Sequence, residues 1–62
     1  MYYEINVSLN GKHLFATAER SIVNAWRLQK VYNLFKEKFP EEEGYNITVT
    51  EWNKVGKIIE ME

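Results

Sequence analysis

The side chains able to do chemistry are few and scattered. His13 is the single histidine, and it follows Lys12 directly after a turn, where an imidazole is solvated and has nothing to orient it. Neither Ser8 nor Ser21 has a base suggested by spacing, and the 62 residues contain no cysteine and no aspartate. Glu4, Glu60 and Glu62 could meet on one sheet face. A carboxylate pair working as acid and base needs one member shielded enough to raise its pKa, and an open sheet face gives no such shielding. Gly11, Gly44 and Gly56 sit in three separate turns and make no phosphate-binding loop. One histidine without cysteines makes no zinc site, and Glu41–Glu43 lacks the spacing of a calcium loop. The expectation is a chain without catalytic residues, metal or cofactor.

What remains is surface, and the element that must present it is the stretch from Ser21 to Phe39. Ser21 can serve as N-cap, although Asn24 replaces the Glu or Gln that would complete a capping box. At about 100° per residue, Ala25, Leu28, Val31, Tyr32, Phe35 and Phe39 share one face, wide enough to cover a sheet. Pro40 ends the helix by disfavouring helical backbone at Phe39. Val23, Trp26 and Lys30 point the other way, with Ile22 and Leu34 on the flanks. Two readings stay open for Trp26: it folds over a nearby loop, or it joins Val23 and Leu34 in contact with another chain. Tryptophan is enriched among residues that dominate interfaces. Arg27 and Lys30 beside it suit an acidic rim on that partner.

The strands follow from alternation. Tyr3, Ile5, Val7 and Leu9 face one way and Glu4, Asn6 and Ser8 the other, the pattern of a half-buried strand. Asn10-Gly11 predicts a tight hairpin. In its register Val7 opposes Leu14, Ile5 opposes Ala16 and Tyr3 opposes Ala18. That sends Leu14, Ala16 and Ala18 into the core and His13, Phe15 and Thr17 outward. After a charged loop at 40–44, Tyr45, Ile47 and Val49 face the helix, while Asn46, Thr48, Thr50 and Trp52 face outward. Asn53 to Gly56 fits a type I turn with a glycine bulge. It puts Ile59 and Met61 in the core, Ile58 beside Trp52, and Glu60 beside Thr50. Phe15, Trp52 and Ile58 are thus a second candidate contact surface, on the open sheet face with Tyr2. Aromatics there could stack bases, but Glu4, Glu60 and Glu62 would repel phosphates.

These elements predict one α+β domain over residues 1–62: ββαββ, a four-stranded mixed sheet covered on one face by a single helix. The expected strand order is 2-1-4-3, with strands one and four parallel in the centre; 1-2-3-4 is the alternative. Eight basic and nine acidic residues leave a net charge of −1. That balance lacks the excess that nucleic-acid binding draws on. No apolar run approaches the ~20 residues of a membrane span, and Met1-Tyr2-Tyr3-Glu4 does not resemble a signal peptide. The cytoplasm is the default location, which also discounts the glycosylation patterns at Asn6 and Asn46. A chain this short is marginally stable alone, which favours a homodimer.

Ser8-Leu9-Asn10-Gly11-Lys12-His13 with Phe15-Ala16-Thr17-Ala18, Lys38-Phe39-Pro40, and Gly44-Tyr45 leading to Val49-Thr50-Glu51-Trp52 give the whole chain a similarity to short phage- and prophage-encoded accessory proteins. Some of these block host defence systems. The element order also resembles that of small immunoglobulin-binding domains, in architecture only. Neither resemblance carries functional residues over. Together with the residues themselves, the first implies a non-catalytic protein that binds and inhibits a host complex. A small nucleic-acid-associated regulator is the alternative. The expected partner is a protein or a second copy, with no membrane and no small-molecule substrate.

Overall fold

The computed structural model describes residues 1–61. Strand β1 spans Tyr2–Leu9, β2 Lys12–Ala16, helix α1 Ala25–Lys38, β3 Tyr45–Trp52 and β4 Gly56–Ile59, with a 3-10 turn at Glu41–Glu43 before β3. The predicted α+β, ββαββ architecture is present, with one helix and one four-stranded sheet. Glu62, invoked above for the outer face, lies outside the described residues.

The strand order is β2-β1-β3-β4 and every pair is antiparallel, which overturns the expected order 2-1-4-3 and its central parallel pair. Length explains the correction. β1 and β3 each have eight residues and align along their whole length, from Tyr2 opposite Trp52 to Leu9 opposite Tyr45. β4 has four residues and would leave half of β1 unpaired. An unpaired buried backbone group loses the equivalent of a hydrogen bond. The 14-residue helix, about 21 Å long at 1.5 Å per residue, carries the chain from the Tyr3 end of the sheet to its Leu9 end. β3 therefore starts beside Leu9 and runs back along β1. Gly44, with φ of 97°, makes the corner, and its carbonyl accepts from the Asn10 N–H at 2.9 Å.

The hairpin β1–β2 begins in the predicted register, with Leu9 opposite Lys12 and Ser8 opposite His13. A bulge at Leu14 then shifts it, so that Val7 opposes Phe15 and Asn6 opposes Ala16. An extra residue exchanges the faces of everything beyond it. Phe15 accordingly lies on the helix side, not the open face. Leu14 is 46% exposed, and Ala16 and Ala18 are exposed too, rather than in the core. The gain is aromatic packing. Phe15 meets Phe35 at 5.8 Å and Phe39 at 5.5 Å between ring centroids, both edge to face, and Phe39 continues to Tyr45. Such pairs stabilise beyond their buried area, which two alanines cannot match.

Tyr3, Ile5, Ile22, Leu28, Tyr32 and Val49 form the buried cluster, with Val31, Phe35, Ile47, Ile59 and Met61 packed against it. Ile22 corrects the expected helix start. Its carbonyl accepts from the Tyr3 N–H at 2.8 Å in a short antiparallel bridge, so its backbone is extended and its side chain is buried. Ser21 instead closes a turn, its Oγ donating to the Ala18 carbonyl at 2.7 Å. Asn24 is the N-cap, its side-chain oxygen accepting from the Arg27 N–H at 2.8 Å. Of the predicted helix stripe, Leu28 and Tyr32 are buried, Val31, Phe35 and Phe39 half-buried, and Ala25 exposed.

Candidate functional site

Helix α1 presents its polar side to solvent as a continuous ridge. Residues four apart stack one above another along a helix, which places Trp26, Lys30 and Leu34 in one row. Val23 precedes the N-cap, outside the helix, and Arg27 follows Trp26 in the first turn. The sheet-facing side of the helix is filled by Leu28 and Tyr32, so these five side chains have no core to enter. Trp26 is 70% exposed, Val23 56% and Leu34 46%. The indole does not fold over a neighbouring loop. Lys30 Nζ stands 4.7 Å from its ring centroid. That placement is a cation–π contact. Trp26, Arg27, Lys30 and Leu34, with Val31, Asn33 and Glu37, border an open groove of about 510 Å³.

The charge on this ridge differs from that of the rest of the chain. Arg27, Lys30, Lys36 and Lys38 belong to the helix, against the single acid Glu37. The helix is therefore basic within a chain whose net charge is −1. Lys36 leans over Tyr32, 5.8 Å from its ring. Arg27 and Lys30 stay beside the exposed indole.

The second predicted surface does not hold together. Phe15 is on the opposite side of the sheet from Trp52 and Ile58, for the reason given above. Trp52 and Ile58 are both on the open face, but the hairpin β3–β4 is tighter than expected. Trp52 opposes Gly56 and Thr50 opposes Ile58, with Asn53, Lys54 and Val55 as the loop. The shift is two residues, so the faces are retained while the partners change. The glycine explains it: the Trp52 ring lies across Gly56, where an added Cβ would come within 2.7 Å of it. Tyr2 stacks on the same indole at 6.4 Å and 21°. Trp52 is thus half-buried by its own chain, and its Nε1 is enclosed without a hydrogen-bond partner. A ring packed in this way is a poor platform for a base.

Electrostatics on the open face point the same way. Partial burial, then the Glu19 and Glu4 carboxylates, push the Tyr2 hydroxyl above its ordinary pKa. Glu4 in turn accepts from Asn6 Nδ2 at 3.2 Å. His13 is exposed beside Ser8. Among the described residues, no group of three His, Cys, Asp or Glu side chains converges as a metal site would require. No described helix is long and apolar enough to cross a membrane. Sequence reasoning missed Val55, 73% exposed at the tip of the β3–β4 loop, and the exposed Leu14. Only the bulge could have revealed Leu14, and it leaves no local signal. No protein-family model, curated protein or solved structure matches the chain.

Proposed function

We propose that this chain is a non-catalytic interaction module that docks on a protein partner through the outer face of α1, with Trp26 as the central anchor. Val23 and Leu34 extend the apolar contact, and Arg27 and Lys30 meet an acidic rim. The observation that carries the reading is the indole of Trp26, left 70% exposed on a helix whose core-facing side is already filled. Burying such a ring together with its aliphatic neighbours is the usual energetic centre of a protein interface. The similarity of the chain to phage-encoded accessory proteins extends the proposal to a biological role: inhibition of a host complex by occupying one of its surfaces.

The alternative, a small nucleic-acid-associated regulator, draws on the helix cations Arg27, Lys30, Lys36 and Lys38. Glu37 within that ridge and the packed state of Trp52 weigh against it. Affinity capture from a bacterial lysate, with the wild-type chain beside Trp26→Ala and Leu34→Ala, tests the docking face. A partner retained by the wild type and by a Trp52→Phe control, but lost by both helix variants, supports the proposal. Equal retention by all four chains overturns it. Binding to labelled single- and double-stranded oligonucleotides that weakens steeply with salt would favour the alternative instead.

A further inference from the structure

The two edges of the sheet are guarded differently. β2 carries the Leu14 bulge, a device that interrupts pairing with a further strand. β4, Gly56–Ile59, keeps a regular register with neither bulge nor proline, and is guarded only by its four-residue length and by Lys57. An edge of this kind offers unpaired N–H and C=O groups to another strand. Ile58 is 68% exposed on its open-face side. On the helix side, cover is thin. The aromatic contacts among Phe15, Phe35, Phe39 and Tyr45 close the core beside β2. Beside β4 a recess of about 250 Å³ remains open, bordered by Tyr32, Ile47, Val49, Ile59, Glu60 and Met61.

We infer that β4 pairs antiparallel with β4 of a second copy, about a two-fold axis through Ile58, to make one continuous eight-stranded sheet. Side-chain alternation and charge select this register. Facing residues must lie on the same side of the sheet, so a two-fold can pass through Lys57 or through Ile58. Centring on Lys57 sets two like charges directly opposite, which is destabilising. Centring on Ile58 brings two exposed isoleucines together on the open face. Lys57 then faces Ile59 of the second copy at the mouth of the recess. The pairing leaves Trp26 free and does not depend on the proposed docking function.

The ladder is short, so the dimer belongs among weak associations of small interface area. Sedimentation equilibrium of the wild type over about 10 µM to 1 mM should show the mass rising from 7.4 kDa towards twice that value. Ile58→Lys should weaken the association at least about tenfold, whereas Trp26→Ala leaves it unchanged. The chain has no native cysteine, so single-cysteine variants report geometry cleanly. Opposed antiparallel residues have Cα atoms about 4.5–5.5 Å apart, within reach of a disulfide. Ile58→Cys should therefore form a linked dimer at least about tenfold faster than Trp26→Cys. A wild-type mass that stays monomeric throughout the range overturns the inference. So do equal linking rates for the two variants.

Discussion

The Phe15 ring stands edge to face on the Phe39 ring at 5.5 Å, joining an edge strand to the last turn of the helix. The contact exists because one residue, Leu14, is extruded from the β1–β2 ladder. It brings to the helix side a ring that strict alternation would leave on the open face, and there the ring stays 38% exposed.

Phe15→Ala should accordingly lower stability by about 2 kcal/mol, less than a fully buried phenylalanine because the ring keeps some exposure. Urea denaturation followed by circular dichroism measures it. A change within about 0.5 kcal/mol, as for a surface substitution, would place the ring outside the core after all.

Asn24→Ala should cost about 1 kcal/mol, since it removes the side-chain acceptor for the Arg27 N–H. Ser21→Ala removes only an exposed hydrogen bond to the Ala18 carbonyl and should cost less. The reverse ranking in thermal or chemical melts would move the helix start back to Ser21.

Gly44→Ala and Gly11→Ala separate two penalties. Both glycines have positive φ, 97° and 85°, where an alanine is strained. A Cβ at Gly11 would meet open space, whereas at Gly44 it would strike the Asn10 side chain. Gly44→Ala should therefore be the more destabilising by about 1 kcal/mol or more. Equal losses from the two substitutions would show that Asn10 moves aside freely.

The two tryptophans should answer differently to a collisional quencher. In Trp52→Phe the remaining indole, Trp26, should be strongly quenched by acrylamide. In Trp26→Phe the remaining Trp52, stacked on Tyr2 and laid over Gly56, should be protected. Stability provides a second readout: Trp26→Ala should change it by no more than about 0.5 kcal/mol, in line with an exposed site. Protection of Trp26 in the isolated monomer would remove the exposed anchor on which docking depends.

Much of the molecule is legible without coordinates, because its signals are local. The alternation of Tyr3, Ile5, Val7 and Leu9 specifies a strand and its inner face. Asn10-Gly11 specifies a turn whose two residues both take positive φ. The spacing of Leu28, Tyr32 and Phe35 defines the covering side of a helix that stops at Pro40, and it leaves Trp26 on the other side. Each of these depends on a few neighbouring residues and on backbone geometry alone.

Tertiary structure decided what local rules leave degenerate. Whether Ser21 or Asn24 caps the helix turned on Ile22, which gains more by burial against Tyr3 than by another turn of helix. Whether Phe15 faces in or out turned on rings twenty or more residues away, reached only by inserting a bulge. Whether β3 or β4 lies beside β1 turned on matching two eight-residue ladders. In each instance two nearly equivalent local arrangements were separated by the apolar surface and backbone hydrogen bonds that distant segments could satisfy together. That sum exists only in the assembled chain.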